Sequence, residues 1–421
     1  MSLVHGAALG AVRDRFPALR RTVNGVPAVF VDAPGGTQVP QAVIDAMAEY
    51  LRSNNANTGG RFATSRATDE VIEGARRAAG DFLNCDAGEV VFGPNTTTLA
   101  FALSRSFART LRPGDEVIVT RLDHDANVAP WVAAAEDTGA TVRWADVREG
   151  DCTLDLESLE AALSPRTRLV AFTLASNAVG TVTSAWDVVS LARAAGATVV
   201  ADAVHLAPHR LIDARALDVD VLFCSPYKFF GPHLGVMYAR RTLLESWTPY
   251  KVAPADNRAP DRWETGTKNH EALAGFRAAI DYLAAVGRQD DEVDRSPRRV
   301  ELERAMGMIA EVEAALTRRF LEGAGSVEGL EIYGISDLQR AHERTPTFAV
   351  RLQGLTPQRL AEALGERGIF VWDGNYYALA LMERLGLESS GGAVRIGFCH
   401  YNTIEEVDRV LDELRALSRE A

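Results

Sequence analysis

The stretch Ala197-Thr198-Val199-Val200-Ala201-Asp202-Ala203-Val204-His205 decides the predicted fold of this chain. Its apolar residues follow one another without alternating with polar ones, which is typical of a strand buried on both faces of a parallel sheet. Asp202 ends the run, so its carboxylate is expected at the carboxyl edge of that sheet. Because a buried carboxylate is costly unless it is paired, we expect Asp202 to have a cationic partner. The alternative is that it caps the turn that follows.

Short apolar runs of the same kind alternate with helical patterns between residues 88 and 240. The predicted strands are Glu89–Phe92, Glu116–Thr120, Thr141–Trp144, Leu169–Thr173, Thr198–Ala201, Val219–Cys224 and Gly235–Ala239. The predicted helices between them are Thr97–Thr110, Ala126–Thr138, Leu156–Leu163 and Ala185–Ala194. Since parallel neighbours are joined by right-handed crossovers, this alternation predicts a large α/β domain with a doubly wound, mostly parallel sheet.

After Pro260 the pattern changes to that of a smaller α+β domain. The predicted helices are His270–Val286, Arg298–Phe320 and Thr403–Leu417. The predicted strands, between the second and third helices, are Val327–Tyr333, Thr347–Leu352, Ile369–Trp372 and Ala393–Gly397. The first 25 or so residues are expected to pack on this part. We therefore predict a large domain over residues 26–265 and a small domain built from residues 1–25 and 266–421.

Composition excludes several classes of function. The net charge of −12 argues against a nucleic-acid partner, because phosphate backbones attract a surplus of Lys and Arg. No apolar run approaches the roughly 20 residues that cross a bilayer, and the start of the chain does not read as a signal peptide. The four cysteines have neither metal-ligand spacing nor the density of a disulfide framework. A cytoplasmic protein without a metal site or a membrane partner is predicted.

A lysine follows another predicted strand in Cys224-Ser225-Pro226-Tyr227-Lys228-Phe229-Phe230-Gly231-Pro232. Ligands of such sheets gather beyond the carboxyl ends of the strands, and lysine among aromatic residues is unusual because lysine prefers solvent. The alternative is an ordinary surface lysine. The Ser-x-x-Lys spacing also occurs in penicillin-recognising enzymes, but the chain has no Ser-Asp-Asn or Lys-Thr-Gly partner motif. A protonated pyridine ring between Lys228 and Asp202 suits both residues.

Three further stretches place polar side chains after predicted strands. Thr96 and Thr97 open a helix, where hydroxyls and free N–H groups predict an anion site unless one threonine is simply a cap. His124 is suited to stack on a pyridine ring, and Asn177 follows the strand at Leu169–Thr173. Alone, each is also explained as a structural histidine or a turn asparagine. Together, polar signals after five strands predict one site at one edge of the sheet.

This constellation resembles the class V aminotransferases of pyridoxal-phosphate (PLP) fold type I, the family of cysteine desulfurases and selenocysteine lyases. The resemblance runs from Val31-Asp32-Ala33-Pro34-Gly35-Gly36-Thr37 to the last predicted helix. It rests on the Asp…Ser-x-x-Lys core and on the order and spacing of the other motifs. The resemblance implies an enzyme that uses PLP as its cofactor and acts on a small amino acid.

The resemblance also implies a role for each matching residue. Lys228 matches the Schiff-base lysine, Asp202 the partner of the pyridine nitrogen, and His124 the imidazole that stacks on the ring. The remaining matches are the phosphate ligands Thr96, Thr97 and Ser225, Asn177 near the phenolic oxygen, and Arg395 for the substrate carboxylate, although a strand arginine also occurs in plain ion pairs. Thr267, in Glu264-Thr265-Gly266-Thr267, matches a segment that reaches the phosphate of a partner subunit, which implies a homodimer with shared active sites.

Four positions depart from the desulfurase pattern. Tyr377, in Trp372-Asp373-Gly374-Asn375-Tyr376-Tyr377-Ala378, falls where desulfurases carry their nucleophilic cysteine. His205 stands where a glutamine usually contacts the phenolic oxygen, and Tyr227 replaces the histidine before the lysine, where it is still able to donate to phosphate. The substrate-side loop, Asn54-Asn55-Ala56-Asn57-Thr58-Gly59-Gly60-Arg61, also differs; Asn57 and Arg61 are its candidate substrate-binding residues.

We therefore expect a C–S or C–Se lyase without a persulfide cysteine, because a phenol cannot accept sulfur as a persulfide. A class V aminotransferase and an amino-acid epimerase are the alternatives, and a non-catalytic PLP-fold binding protein is a further one. A nucleotide-sugar aminotransferase is disfavoured, since a sugar has no α-carboxylate for Arg395 to bind. Tyr376 and Tyr377 are candidates for the acid that protonates the leaving group, or else for plain packing of their loop.

Overall fold

The computed structural model describes residues 12–288 and 296–420. A seven-stranded sheet forms its centre within these ranges, with strands β1 (Val90–Gly93), β2 (Glu116–Thr120), β3 (Thr141–Ala145), β4 (Thr167–Thr173), β5 (Thr198–Asp202), β6 (Val221–Cys224) and β7 (Gly235–Ala239). Their order across the sheet is β1-β7-β6-β5-β4-β2-β3. Only β7 runs antiparallel to its neighbours among them. The predicted doubly wound, mostly parallel α/β fold is confirmed.

The register of the central strands brings their carboxyl ends to one edge. Asp202 pairs with Thr173 of β4 on one side and with Phe223 of β6 on the other. Residues that follow these strands in the chain therefore meet above the same edge of the sheet, which is where ligands of open parallel sheets bind. This register is what converts separate sequence motifs into one site.

Helices bury both faces of the large sheet. In chain order the described helices are α1 (Gln41–Ser53), α2 (Ala63–Leu83), α3 (Thr96–Ala108), α4 (Ala129–Thr138), α5 (Leu156–Ala162), α6 (Ala185–Ala194), α7 (Arg241–Ser246), α8 (His270–Val286), α9 (Arg298–Ala324), α10 (Pro357–Glu366), α11 (Leu379–Arg384) and α12 (Ile404–Glu420). Successive residues of β5 illustrate the burial, because Val199 and Val200 belong to separate core clusters on opposite faces. That two-sided burial explains why the strands are continuously apolar.

The second sheet is small and antiparallel. It contains β8 (Leu330–Tyr333), β9 (Thr347–Leu352), β10 (Trp372–Gly374) and β11 (Ala393–Gly397), in the order β8-β9-β11-β10. Apolar residues of α9, α10 and α12 pack with this sheet in a core cluster of its own.

The single strand predicted at Ile369–Trp372 is wrong, because this segment is divided between two sheets. Ile369–Phe370 pairs in parallel with Val29–Phe30, whereas β10 begins at Trp372 and pairs with β11. The chain changes its partner at Val371, and both halves are extended. A pattern read along the sequence detects the extended backbone but not the change of partner.

The two predicted domains share segments. Val29 and Val31 pack in the core cluster of the small sheet, although they precede the large sheet in the chain. Helix α8 instead packs on α1 and α2, beside the large sheet. Near the start of the described chain, Phe16 lies edge-on to the rings of Phe230 and Tyr401. The division at residues 25 and 265 stays a prediction. Within the described ranges, no helix is long and apolar enough to cross a membrane.

Candidate active site

A cavity of about 1380 Å³ lies beyond the carboxyl ends of the central strands. Its walls bring together many of the side chains singled out from the sequence: Thr96, Thr97, His124, Asn177, Asp202, His205, Tyr227, Lys228, Tyr376, Tyr377 and Arg395. Both the large-sheet part and the small-sheet part of the chain contribute to the wall, since Arg395 comes from the small sheet and the tyrosines from its loop. The predicted convergence of motifs at one edge is therefore what the structure contains.

Lys228 lies on a 3₁₀ turn, Pro226–Lys228, directly after β6. Its Nζ donates a hydrogen bond to the carbonyl of Pro34 and lies 4.9 Å from the centre of the Tyr227 ring. Burial, with a further contribution from the Arg395 charge, lowers the pKa of Lys228 to about 7. A substantial fraction of this amine is therefore uncharged at neutral pH, which a nucleophile or a general base requires.

Asp202 is buried at the end of β5 and has few partners. One carboxylate oxygen accepts a hydrogen bond from the Val204 N–H at 2.7 Å. Burial raises the pKa of Asp202 to about 6, while the charge of Lys228 opposes that rise. The carboxylate forms no salt bridge with any described residue. A buried carboxylate in this condition is stabilised by a cation, such as a protonated pyridine nitrogen in the cavity.

Asp123, beside Asp202, is a residue whose electrostatic role the sequence did not indicate. Its carboxylate accepts hydrogen bonds from the Thr120 hydroxyl and, at 2.7 Å, from the Asn127 amide. Burial raises the pKa of Asp123 to about 8. An uncharged Asp123 adds no second negative charge directly beside Asp202.

His124 presents an uncharged ring to the cavity. It caps a 3₁₀ turn, Asp125–Asn127, by accepting a hydrogen bond from the Ala126 N–H through Nδ1 at 3.0 Å. Because Nδ1 is an acceptor, the ring proton belongs on Nε2. Burial, together with the nearby charges of Lys228 and Arg395, lowers the pKa of His124 to about 4. This turn also explains why α4 begins at Ala129 rather than at the predicted Ala126.

The part of the cavity wall at the start of α3 is suited to an anion. Thr96 and Thr97 form the first turn of α3, after the cap residue Asn95. The Thr96 hydroxyl lies 2.9 Å from the hydroxyl of Ser225. A Cβ on Gly235 of β7 would lie 2.4 Å from the backbone of Asn95, so the helix start packs directly on the strand. Free N–H groups of a helix N-terminus and adjacent hydroxyls together bind phosphate groups.

Arg395 and Asn177 have unused hydrogen-bonding atoms at the cavity. Nη1 of Arg395 donates to the Asn177 carbonyl at 2.9 Å, and its guanidinium lies 4.5 Å from the centre of the Tyr376 ring. The Asn177 amide donates to the Tyr376 carbonyl at 2.9 Å. Burial lowers the pKa of Arg395 to about 10, so the side chain remains a cation at neutral pH. Its planar fork is suited to a carboxylate.

The loop that carries both tyrosines has an unusual backbone. Tyr376 and Tyr377 have φ values of 54° and 59°, in the left-handed region that residues with a Cβ rarely adopt. Tyr376 is buried beneath Arg395, and its hydroxyl donates to the Ala393 carbonyl. The Tyr377 side chain is 72% exposed and its ring is stacked at 5.4 Å on that of His124. Packing thus accounts for Tyr376 but not for Tyr377.

The remaining predicted residues lie elsewhere or have other contacts. Asn57, Arg61 and Thr267 are exposed and are not part of the cavity wall. Tyr227 stacks on His233 with ring centres 4.9 Å apart, and burial raises the pKa of Tyr227. His205 lies 3.1 Å from the Thr345 hydroxyl through Nε2. The roles suggested for these residues stay predictions.

Asp32 lies close to Arg395 and Lys228, although the sequence did not predict it as a site residue. Burial raises the pKa of Asp32 to about 6, and the charges of Arg395 and Lys228 oppose that rise. Its position after the apolar run Ala28–Val31 was the available signal, because this is the same pattern as at Asp202. The strand at Val29–Phe30 is only two residues long, so the pattern is weaker there than at Asp202.

No cysteine lines the cavity in the part of the chain that the structure describes. Cys152, Cys224 and Cys399 are buried and Cys85 is half-buried. Burial raises the pKa of Cys85 to about 12 and that of Cys152 to about 11. It raises the pKa of the other two thiols as well. All four are therefore protonated thiols, which are poor nucleophiles.

The donor set fits PLP. Among the described residues, Oδ1 of Asn177, Nε of Arg395 and Oδ1 of Asp32 are buried without any hydrogen-bond partner, and Asp202 has no cation. Buried polar atoms in proteins are nearly always satisfied, so orphaned atoms around one cavity indicate a polar ligand. A lysine, a carboxylate, an uncharged imidazole and a helix N-terminus match the aldehyde, pyridine nitrogen, ring face and phosphate of PLP, respectively.

Known proteins resemble this chain over most of its length. The family model described as Aminotransferase class-V matches residues 29–410. A cysteine desulfurase of Pectobacterium atrosepticum is 32% identical over 97% of each chain. Another, of Synechococcus elongatus, is 32% identical over 98% of this chain, which spans 64% of that protein's length. The apo structure of the cysteine desulfurase from Thermococcus onnurineus NA1 matches with a TM-score of 0.84 and 25% identity, covering 97% of this chain and 99% of that one.

Proposed function

The chain belongs to the class V aminotransferase family of PLP-dependent enzymes, and we propose that it cleaves the C–S or C–Se bond of a cysteine-like amino acid without passing the sulfur to a cysteine of its own. The observation that carries this proposal is the composition of the cavity wall. It contains Lys228, Asp202 and Arg395, which amino-acid chemistry on PLP needs, and among the described residues it contains no cysteine. Tyr377 lies in the wall, in the loop where the family resemblance places the cysteine of desulfurases.

Each of these residues has a distinct task. PLP bound through Lys228 supplies an electron sink for negative charge at the substrate Cα. Asp202 holds the proton on the pyridine nitrogen that makes this sink effective. Arg395 would bind and orient the substrate carboxylate through N–H groups that have no partner in the protein, among them Nε–H. Lys228 would hold PLP and, as a free amine, would take the proton from Cα, a task for which its lowered pKa of about 7 is suitable.

Tyr377 is proposed to protonate the departing sulfur. Its ring is stacked on His124 at the cavity, and its side chain is open to solvent from which the proton is replaced. For cysteine, breaking the Cβ–S bond and then hydrolysing the remaining enamine consumes one water and releases pyruvate, ammonia and hydrogen sulfide. Atoms and electrons balance in this reaction without an external reductant, and no enzyme thiol is required.

Product analysis tests the proposal. The purified PLP-loaded protein is incubated with L-cysteine, an S-alkyl cysteine and selenocysteine, and pyruvate, ammonia, sulfide or selenide, and alanine are measured. We expect pyruvate and ammonia in equal amounts with the released sulfide, thiol or selenide. Alanine with protein-bound persulfide would overturn the absence of sulfur transfer. A keto acid that retains the substrate's side chain and forms only when an acceptor α-keto acid is present would instead establish amino transfer, and loss of optical activity without cleavage would establish epimerisation.

A homodimer with shared active sites forms part of the same proposal. Asn57, Arg61 and Thr267 are exposed on their own chain, which suits residues that reach the cavity of a second copy. Mixing the inactive variants K228A and R61A tests this. If Arg61 serves the partner's cavity, a mixed dimer contains one intact site and regains activity on subunit exchange. No recovery, in a preparation shown to contain mixed dimers, would rule out sharing through Arg61.

A further inference from the structure

Arg395 is a buried cation that has no carboxylate in contact with it. Its guanidinium is charged at neutral pH, yet it forms no salt bridge with any described residue. Nη1 donates to the Asn177 carbonyl at 2.9 Å, whereas Nε and Nη2 donate to no residue in the described part of the chain. Because a buried charge is costly unless it is compensated, another group has to stabilise this cation.

The ring of Tyr376 lies against this guanidinium. The central carbon of the guanidinium, Cζ of Arg395, is 4.5 Å from the centre of the ring. An aromatic face attracts a cation within about 6 Å, and the attraction is strongest where water is excluded. Both side chains are buried, so that condition is met here. Tyr376 therefore has the place that a carboxylate has in an ordinary buried ion pair.

The ring is fixed from two sides. Its hydroxyl donates a hydrogen bond to the carbonyl of Ala393, two residues before Arg395 on β11. The Tyr376 carbonyl accepts a hydrogen bond from the Asn177 amide at 2.9 Å, and the Asn177 carbonyl accepts one from Arg395. Three segments of the chain thus hold one another. A left-handed backbone such as that of Tyr376, with a φ of 54°, persists only where its surroundings impose it.

A ring stabilises the cation without using its hydrogen-bond donors. A carboxylate partner would accept hydrogen bonds from the guanidinium, and a ligand would have to displace it. The ring leaves the adjacent N–H groups of Nε and Nη2 unoccupied. These two groups point in the same direction and match the two oxygens of a carboxylate. The Tyr376 hydroxyl is itself committed to the Ala393 carbonyl, which does not suit the acid that protonates a leaving group.

We propose that Tyr376 is a positioning residue for substrate recognition: its ring is the partner of the Arg395 cation and holds the guanidinium with one pair of N–H groups free for a carboxylate. This inference rests on the proposed function only in assigning the substrate carboxylate to Arg395. Tyr376 acts through Arg395 rather than on the carboxylate itself. It therefore favours ligands that have a carboxylate beside their amine, and it adds nothing to the binding of an amine alone.

Binding of two small amines to the PLP-loaded protein tests the proposal. L-Alanine has a carboxylate beside its amine and no leaving group, and ethylamine is the same molecule without the carboxylate. Each is titrated while the visible absorbance of the bound cofactor is followed. The unaltered protein should bind L-alanine about 10- to 100-fold more tightly than ethylamine, because of the charged, bidentate contact. Y376L should reduce this preference by about 3- to 30-fold, through weaker binding of L-alanine alone.

Two further variants serve as controls. Y376F restores the ring without the hydroxyl and should recover most of the affinity for L-alanine. In Y250L a different cation–ring pair is lost, that of Tyr250 with Arg109 at 5.7 Å, outside the cavity wall, and neither affinity should change. An unchanged affinity of Y376L for L-alanine would overturn the inference. An equal loss for ethylamine would also overturn it, since that result indicates a general disturbance of the site.

A double-variant cycle tests whether Tyr376 acts through Arg395. In R395Q the cation is absent, so the addition of Y376L should cost no further affinity for L-alanine. Losses that simply add would overturn the positioning role. A preference for L-alanine that depends on Tyr376, in a protein that cleaves no C–S bond, would refute the proposed reaction alone. An unaltered protein without any preference for L-alanine would refute carboxylate binding by Arg395 and this inference with it.

Discussion

The two sides of the cavity differ in how they are built. The cofactor side is formed by residues at the ends of strands of the large sheet; Asp202 is buried there and Lys228 and His124 are half-buried, each with defined hydrogen bonds. The substrate side is formed by the small sheet and its loop, where Tyr377 is exposed on a left-handed backbone. In the proposed function, the first side holds the cofactor, and the loop of the second side governs the fate of the substrate.

The largest expected effect concerns the centre of the cofactor side. K228A should lower turnover by at least about 10³-fold, since it removes both the covalent attachment and the base. Borohydride reduction and mass spectrometry should find a pyridoxyl adduct on Lys228 of the unaltered protein and none in the variant. K251A is the control, because Lys251 is not part of the cavity wall. An adduct on another lysine would overturn the whole assignment of the site.

D202N should lower kcat by about 10²-fold or more, because a neutral amide cannot hold the proton on the pyridine nitrogen. Steady-state kinetics at saturating PLP measure this effect. D45N, an exposed change on α1, should have none. If D202N retained full activity, the charge of the pyridine nitrogen would not matter to this enzyme.

The same substitution should stabilise the cofactor-free protein. Burial raises the pKa of Asp202 to about 6, so in the folded state the carboxylate is charged at pH 7 at a cost in free energy. This destabilisation fades as the pH falls through 6 and is absent below about pH 4, where the unfolded chain is protonated too. D202N should therefore raise the free energy of unfolding by about 1–3 kcal/mol at pH 7 but not at pH 4. Urea unfolding at both pH values decides it.

On the substrate side, R395K should raise KM about 10- to 100-fold with a smaller change in kcat. A lysine ammonium is a point charge and cannot reproduce the two parallel hydrogen bonds of a guanidinium to a carboxylate. R351K on the neighbouring strand β9 is the control, since Arg351 contacts Ser390 on the surface. An unchanged KM in R395K would mean that the substrate carboxylate binds elsewhere.

The smallest effect is expected for Y377F. It should lower kcat about 10-fold on a substrate with a poor leaving group and leave KM unchanged, because only the acid is lost and the ring still stacks on His124. The loss should be smaller for a substrate whose leaving thiol is more acidic. Y250F, a change at another exposed tyrosine, is the control. If Y377F lost the same fraction of turnover on both substrates, Tyr377 would be assigned to shaping the loop instead.

The cofactor side was predictable because its signals are local. Asp202 ends a strand and Lys228 closely follows one, both strands are recognisable from their own residues, and the register of parallel strands brings such ends together. The substrate side was less predictable from the sequence. The segment from Ile369 to Gly374 changes sheets at Val371, and the two left-handed positions after it are occupied by tyrosines, a residue type that does not predict such a backbone.

The sequence by itself determined the mostly parallel α/β architecture and which strand ends carry Lys228, Asp202 and Thr96, because apolar runs and helix starts depend on residues a few positions apart. Only the tertiary structure decided that β7 is antiparallel, that Arg395 contacts Asn177, and that Glu313 is paired with His209. In the contact between Arg395 and Asn177 the two residues are 218 positions apart in the sequence, and in that between Glu313 and His209 they are 104 positions apart. Such pairs form only once the sheets and helices have packed, because burial is what makes each charged group depend on a distant partner.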